Sequence, residues 1–269
     1  MIRLPVAEIP TETRRELGEF QATVNKAVDH AQRVLVARQL FASKNRRDNK
    51  TFATVRTVLS TMCSGAQRCC YCEDSAADEV EHIKPKHLYP EQVFVWENYL
   101  YACGPCNGPK NNKFAVFDPA SGLLSEITRA QALAGTGPPK GDPVIIDPRK
   151  EDPLSFFELD LRDTFQFVPA YGLPYRQKQR ALYTSRILRL NERDLLVEAR
   201  RTAYGSYVAR LKEYTTEKAK SPTSKKLALY IEGLRRMDHP TVWKEIQRQN
   251  ARFPSLALLF NEAPEALGW

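Results

Sequence analysis

The chain has 269 residues, of which 42% are hydrophobic and 27% are charged. This composition allows a packed core and excludes a globally disordered chain, and no apolar run reaches the roughly 18 residues of a membrane span. The net charge is +8, from 40 Lys and Arg residues against 32 Asp and Glu residues, and a basic excess favours a polyanionic partner.

The amino-terminal residues lack the apolar core of a secretory signal peptide, so we expect a cytoplasmic protein without membrane association. The cytoplasm is a reducing compartment. The six cysteines therefore indicate metal ligation more than disulfide bonds.

Residues 1–62 are predicted to form an N-terminal helical segment. Apolar residues recur mostly at three- and four-residue steps from Thr11 to about Ser43, which indicates one long helix. Its predicted inward face comprises Leu17, Phe20, Val24, Ala27, Val28, Ala31, Val34, Leu35 and Phe41. The polar stretch 44–50 predicts a turn before a second helix. The inward residues of that helix are Phe52, Val55, Val58, Leu59 and Met62.

Residues 63–118 are predicted to form a module that contains two C-x2-C pairs. The first pair is Cys69 and Cys72, and the second, after 30 intervening residues, is Cys103 and Cys106. Two such pairs can hold zinc in a tetrahedral thiolate site with no open position for water. The run CCYC leaves one ligand open, since Cys70 could replace Cys69, and the x2 spacing favours Cys69.

The predicted elements of this module are a strand, a loop, a second strand and a helix. The first strand lies around Val80 and Ile83. Pro85 and Pro90 interrupt the loop, and the β-rich run 93–96 predicts the second strand. A short helix is expected to follow the second cysteine pair.

Charge is distributed unevenly along the chain. From Cys69 to Lys113, seven acidic residues and four lysines give a net charge of −3, so the flanking segments together carry +11. The module is therefore suited to cations, and its flanks are suited to phosphates.

Residues 119–269 are predicted to form a linker and a mainly helical C-terminal lobe. The Gly- and Pro-rich stretch 118–150 indicates a surface connection, and the run TFQFVPA predicts a strand. Helices are predicted at 174–190, 192–217, 222–237 and 241–251, with Asn191 and Ser221 as N-caps. Basic residues on the first of these helices could hold a nucleic-acid backbone, although their spacing is also typical of a solvated face. They are Arg176, Lys178, Arg180, Arg186 and Arg189.

A carboxylate, an imidazole and two amides lie between or beside the cysteine pairs. They belong to Glu81, His82, Asn98 and Asn107. Hard oxygen atoms bind Mg²⁺ or a similar ion, and an imidazole that titrates near neutrality can take a proton from water. Phosphodiester hydrolysis uses both, so this set indicates a nuclease site.

These residues and the cysteine pairs resemble an HNH nuclease module. More narrowly, they are similar to the PtuB family of HNH effectors in Septu-type and retron-associated anti-phage defence systems. The matching motifs are Cys-x-Tyr-Cys-Glu at 69–73, Glu-His-x-x-Pro-Lys at 81–86, Trp-Glu-Asn at 96–98, and Cys-Asn followed by Lys at 106–110. The detailed resemblance covers about residues 66–116, and a looser one extends to about residue 195.

The resemblance implies an α+β, mostly α fold with a zinc-stapled ββα-metal (HNH) module flanked by N- and C-terminal helices. It also implies DNA as the substrate and a PtuA-like ABC-type ATPase as the regulating partner. RNA, including transfer RNA, stays open as the substrate. A non-catalytic zinc-stapled module that binds nucleic acid or protein is a second alternative.

The chemistry assigns a role to each residue. His82 would be the general base, and Asn98 would fix the imidazole or its strand by a hydrogen bond. Glu81 and Asn107 would bind a catalytic Mg²⁺ or Mn²⁺, distinct from the structural zinc. Many members of the broad HNH superfamily have His in place of Asn107, which leaves the choice of catalytic metal open. Further candidates for contact with the substrate are Lys84, His87 and Lys110, and for Lys110 a solvated helix face is an equal alternative.

Overall fold

The computed structural model describes residues 1–127, 137 and 140–269. Over these residues the chain is an α+β protein in which roughly half of the residues are helical, so the predicted α+β class is confirmed. Helices at both ends flank small antiparallel sheets. Within the described ranges, every helix is too short or too polar to traverse a lipid bilayer.

The elements in chain order position the rest of the molecule. The described helices are α1 (Thr11–Asn25), α2 (His30–Lys44), α3 (Lys50–Thr61), α4 (Gly104–Lys110), α5 (Tyr175–Ile187), α6 (Asp194–Lys218), α7 (Ser224–Arg235), α8 (Pro240–Gln249) and α9 (Pro254–Glu262). The described strands are β1 (Glu79–His82), β2 (Tyr99–Ala102), β3 (Ala115–Phe117), β4 (Leu124–Glu126), β5 (Asp142–Pro143), β6 (Phe157–Leu159) and β7 (Phe167–Pro169).

The prediction of one long N-terminal helix is wrong, because the chain forms α1 and α2 instead. The Asp29 side chain accepts a hydrogen bond from the backbone N–H of Gln32 at 2.8 Å and so caps a new helix. The break changes which residues face inward. Val28 is 93% exposed and Leu35 is 46% exposed, although both were predicted to face the core.

The predicted turn between the second and third helices is confirmed. The Asn49 side chain caps α3 by accepting a hydrogen bond from the N–H of Phe52 at 3.0 Å. The apolar face of α3 is buried as predicted, with Val58 partly buried and Phe52, Val55, Leu59 and Met62 buried.

The strand–loop–strand–helix order is observed, but the position of the second strand differs from the prediction. β1 and β2 are antiparallel, with His82 opposite Tyr99, and α4 follows directly. The predicted strand at 93–96 is wrong. The Val93 carbonyl in this stretch accepts hydrogen bonds from the side chains of His82 and Tyr99 and takes no part in a strand ladder.

The four helices predicted in the C-terminal lobe are confirmed as α5 to α8, and α9 is an addition. Their predicted caps are wrong. The Asn191 side chain accepts from the N–H of Phe167 at 2.9 Å and donates to its carbonyl at 2.7 Å, so it pairs with β7 and caps no helix. At the start of α7, Thr223 and not Ser221 accepts from the N–H of Lys226, at 3.3 Å.

The strand predicted within TFQFVPA is confirmed as β7, which pairs with β6. The predicted connection at 118–150 lies partly outside the described residues. Buried apolar side chains of the described residues form one cluster that joins the N-terminal helices, the β1–β2 pair and the C-terminal helices. The division of the chain into 1–62, 63–118 and 119–269 stays a prediction.

Candidate metal and catalytic site

Four cysteines from the two C-x2-C pairs meet at one buried point, here called the four-cysteine cluster. The Sγ atoms of Cys69, Cys72, Cys103 and Cys106 all lie within 4.8 Å of one another. Those of Cys72 and Cys103 are 3.7 Å apart. With zinc–sulfur bonds of about 2.3 Å, a tetrahedral site has sulfur–sulfur distances of roughly 3.8 Å. The cluster can therefore hold a metal ion such as zinc.

The structure selects Cys69 over Cys70 as the member of this cluster. The Sγ atom of Cys69 accepts backbone N–H groups from Tyr71 at 3.4 Å and from Cys103 at 3.3 Å. The Sγ atom of Cys70 instead lies 3.9 Å from that of Cys63. Backbone donors aimed at a sulfur stabilise its thiolate form, which is the form that binds metal.

An arginine that the sequence did not single out supports the cluster from the C-terminal lobe. Arg193 donates a hydrogen bond to Cys106 Sγ at 3.3 Å. Hydrogen bonding with Cys103 lowers the pKa of the Cys72 thiol. Four thiolates around one divalent ion leave a net negative charge, and a guanidinium beside them offsets it.

His82 ends β1 and is buried among aromatic rings. Its ring centroid lies 4.6 Å from that of Phe41 and 5.2 Å from that of Tyr99. Its Nε2 atom is 2.9 Å from the carbonyl oxygen of Val93. A carbonyl only accepts, so Nε2 carries the proton and Nδ1 keeps the lone pair. Burial lowers the pKa of His82 to about 3, so the imidazole is neutral at pH 7.

His82 lines a small cleft of about 200 Å³, here called the His82 cleft. The cleft lies between β1, the loop after it, and α4. Its lining residues are Glu79, Glu81, His82, Pro85, Lys86, Gly104, Asn107, Gly108, Asn111 and Asn112. The structure thus brings three of the four predicted catalytic residues, Glu81, His82 and Asn107, to one cleft.

Glu79 is a cleft residue that sequence reasoning missed. It lies two residues before Glu81, and alternate residues of a strand share a face, which was the available signal. The amide nitrogen of Asn107 donates to Glu79 Oε2 at 2.6 Å. This bond occupies the amide nitrogen of Asn107 and does not use its oxygen.

The oxygen atoms of Glu79, Glu81 and Asn107 are of the type that could hold a hard divalent ion. Glu81 is buried, and its Oε1 atom lies 2.5 Å from the ammonium nitrogen of Lys110 in an ion pair. Two carboxylates and one amide oxygen, completed by water, are the ligand types that Mg²⁺ and Mn²⁺ accept. Burial raises the pKa of Glu81, and a bound cation would hold it ionised.

Lys110 is placed beneath the strand and not at the surface. It is fully buried, and its ammonium donates to the His82 carbonyl at 2.8 Å besides pairing with Glu81. These contacts hold Glu81 and His82 of β1 in place, and the buried ammonium does not reach a phosphate.

Asn98 fixes the loop after β1 and has no contact with the imidazole itself. Its oxygen accepts from the N–H of Lys84 at 2.8 Å, and its nitrogen donates to the carbonyls of Lys84 and Gln92 at 3.1 and 2.9 Å. Val93, which follows Gln92 in the chain, accepts a hydrogen bond from His82 through its carbonyl. Asn98 therefore acts on the imidazole through the loop that orients it.

The remaining predicted substrate contacts are dispersed. Lys84 lies over the Tyr89 ring, 5.2 Å from its centroid, and lines a different cavity. His87 is half-buried near Asn112 at the edge of the cleft. Lys86, which sequence reasoning did not select, lines the cleft itself. As the last residue of Glu-His-x-x-Pro-Lys, it could have been found from that motif.

Four of the five basic residues predicted to lie on α5 are neutralised by ion pairs. Arg189 lies just beyond the end of α5, and no described carboxylate forms an ion pair with Lys178. Each guanidinium that could hold a nucleic-acid backbone contacts a carboxylate of this chain instead. The pairs are Arg176 with Asp142, Arg180 with Glu151, Arg186 with Glu126, and Arg189 with Glu192.

One stretch of the chain is similar to a known protein. Over 57 residues it is 40% identical to Septu protein PtuB from Bacillus thuringiensis, and this stretch covers 19% of the chain and 22% of that protein. The chain therefore matches about a fifth of the length of this curated relative. No protein-family model matches the chain, and no solved structure is significantly similar to it. Similarity to a Septu PtuB protein is thus present over this one stretch.

Proposed function

We propose that this protein is a metal-dependent HNH endonuclease that hydrolyses phosphodiester bonds of DNA. The observation that carries the proposal is the placement of His82. Its imidazole, held through Nε2 by the Val93 carbonyl, lines the same cleft as Glu79, Glu81 and Asn107. A free ring nitrogen beside hard oxygen ligands is the combination that activates a water next to a metal-bound phosphate.

His82 acts as the general base through Nδ1. It takes a proton from the attacking water, and the Val93 carbonyl accepts a hydrogen bond from the opposite ring nitrogen and stabilises the imidazolium that forms. Asn98 positions this carbonyl by fixing the neighbouring loop. Lys86 is the cation in the cleft that would contact the scissile phosphate.

Glu79, Glu81 and Asn107 would hold the catalytic Mg²⁺ or Mn²⁺. When bound, such an ion stabilises the charge on the transferring phosphate and the leaving oxygen. The four-cysteine cluster would hold a separate structural zinc, which has no open position for a substrate. This zinc would tie the start of α4, and with it Asn107, to the first C-x2-C pair, which precedes β1.

We also propose a role as an effector in bacterial anti-phage defence. The support is the stretch shared with a Septu PtuB protein. A PtuA-like ABC-type ATPase partner and a cytoplasmic location belong to the same proposal.

The test is cleavage by the purified protein, alone and with a PtuA-like ATPase of the kind proposed as its partner. Labelled DNA and RNA of the same sequence are incubated with Mg²⁺ or Mn²⁺. We expect DNA cleavage, and His82→Ala should lower its rate about 10²- to 10⁴-fold, the usual contribution of a general base. His30→Ala, which changes a histidine outside the cleft, is the matched control.

Zinc content and the unfolding temperature are measured on each variant, so that a loss of rate is not a loss of fold. If the protein cleaves RNA and not DNA, RNA replaces DNA as the proposed substrate. A protein that cleaves neither polymer in either metal, with or without the ATPase, would leave the non-catalytic binding module as the better description.

A further inference from the structure

A groove of about 710 Å³ runs from the N-terminal helices to the His82 cleft. We call it the α2–α3 groove, since α2, α3 and the turn between them form one wall and the β1–β2 pair forms the other. Its lining residues are Phe41, Asn45, Arg47, Ala53, Arg56, Thr57, Ser60, Gln67, Asp78, Glu79, Val80, Lys86, Tyr101 and Asn107. Glu79, Lys86 and Asn107 line both spaces, so the groove and the cleft are continuous.

The cations along this groove are not neutralised by the protein. Among the described residues, no carboxylate forms an ion pair with Arg38, Arg47 or Lys86, in contrast to the arginines of α5. Arg38 and Arg47 are exposed. Arg38, on α2, lies beside the groove and not in its lining, close enough to Lys86 for the two positive charges to interact. Arg56 donates only to neutral groups, the Asn45 side chain at 3.0 Å and a backbone carbonyl at 2.9 Å.

The acidic residues of the groove lie on the opposite wall. Glu79 is the first residue of β1, and Asp78 is the residue before it. A divalent ion beside Glu79 would offset this charge. The wall formed by α2 and α3 is therefore the one that attracts an anion. This wall extends away from the cleft along α2, α3 and the turn between them.

We propose that the α2–α3 groove binds the phosphodiester backbone of a polynucleotide on one side of the scissile bond. The arginines of the α2–α3 wall would contact successive phosphates, and Lys86 would contact the phosphate at the entrance to the cleft. This inference rests on the proposed function for the position of the scissile bond. The groove reads charge and not bases, so DNA and RNA share this chemistry.

The test is binding by the full-length, zinc-loaded protein with His82→Ala present to prevent cleavage. The probes are fluorescein-labelled duplex DNA, single-stranded DNA and single-stranded RNA of 20 nucleotides in Mg²⁺. Adding Arg38→Ala and Arg47→Ala should weaken binding about tenfold at low salt. It should also reduce the slope of log K against log salt by about 1.8 for duplex DNA or about 1.4 for a single strand, the change expected for two lost phosphate contacts.

The matched control carries Arg186→Ala and Arg189→Ala, which remove two arginines that are already paired with carboxylates. It should keep the affinity and the salt slope of the parent. Equal losses in the two pairs of variants would overturn the groove, as would the absence of binding to all three probes. The probe that binds most tightly identifies the polymer.

Hydrolysis of bis(p-nitrophenyl) phosphate separates this inference from the proposed function. This diester is too small to span the groove. In a protein that retains His82, the combined Arg38→Ala and Arg47→Ala variant should therefore slow polynucleotide cleavage more than it slows hydrolysis of the diester. A protein that binds polynucleotide through the groove but never hydrolyses the diester contradicts the proposed function alone. A protein that hydrolyses it, with unchanged polynucleotide binding in the arginine variant, contradicts the groove alone.

Discussion

The four-cysteine cluster and the His82 cleft meet at α4 but differ in how their polar atoms are satisfied. α4 contributes Cys106 to the cluster and Asn107, the next residue, to the cleft. In the cluster, four sulfur atoms converge within 4.8 Å and two backbone donors hold Cys69. In the cleft, the Glu81 carboxylate has the Lys110 ammonium as its partner, and no hydrogen-bond donor of the described residues contacts His82 Nδ1.

This difference separates the part of the module for which we propose a structural role from the part for which we propose a catalytic one. A saturated, buried ligand set contributes to folding and leaves no site for chemistry. Polar groups that are held by one partner and left open on the other side are costly to bury, and they are typical of sites that act on a ligand. Substitutions on the two sides should therefore affect different properties.

The largest effect is expected for Cys103→Ser, which tests whether the cluster is structural. Zinc in small domains contributes on the order of 10 kcal/mol to folding, so the module should lose zinc and unfold. Zinc content and thermal unfolding measure this. Cys63→Ser, outside the cluster, is the control and should melt within a few degrees of the unaltered protein. A Cys103→Ser protein that retains zinc and melts normally would remove the distinction between the two sites.

Lys110→Met tests whether the buried ammonium supports the cleft. It leaves Glu81 buried without its cation, which typically costs about 3–5 kcal/mol, measured by urea unfolding of the zinc-loaded protein. Glu81→Gln in the same chain should recover much of this loss, because no buried charge then remains. Lys113→Met, on the exposed side of the same turn, is the control. Equal destabilisation by the two lysine variants would contradict the buried ion pair.

Asn98→Ala tests whether the loop orients the imidazole. Three hydrogen bonds are lost and two partly buried carbonyls lose a donor, so we expect a destabilisation of about 1–3 kcal/mol. Amide hydrogen exchange should become faster at Lys84, whose N–H is released. Asn25→Ala, at the exposed end of α1, should leave this exchange unchanged. Unaltered protection of Lys84 in the Asn98 variant would show that the loop holds itself.

Glu79→Gln is expected to have the smallest effect, since the glutamine can still bond Asn107 while the negative charge is removed. Affinity for Mg²⁺ should fall about 10- to 100-fold, the range seen when a supporting carboxylate of a metal site is altered, with little change in the unfolding temperature. Calorimetric titration of the zinc-loaded protein measures it, and Glu91→Gln, outside the cleft, is the control. Equal Mg²⁺ affinity in both variants would exclude Glu79 from the site.

Local patterns predicted the features that depend on residues close together in the chain. The C-x2-C spacing located the cluster because a knuckle of four residues brings its two sulfur atoms together whatever surrounds it. Apolar periodicity located α3 and α5 to α8 for the same reason. The division between α1 and α2 was missed because the pattern continues across it, and the Asp29 cap outweighed that continuity.

The tertiary structure decided the features that depend on long-range competition for polar groups. The position of β2 follows from the Val93 carbonyl, which bonds the side chains of His82 and Tyr99, 11 and 6 residues away. The burial of Lys110 depends on Glu81, which no helical periodicity could reveal.

The sequence by itself determined the two C-x2-C pairs, the Glu-His pair and the basic excess, since these are matters of residue type and short spacing. Only the tertiary structure decided that Cys69 and not Cys70 joins the cluster, that Glu79 enters the cleft, and that unpaired cations line the α2–α3 groove. The physical reason is that packing selects which polar atoms are satisfied inside the protein and which remain open to a ligand.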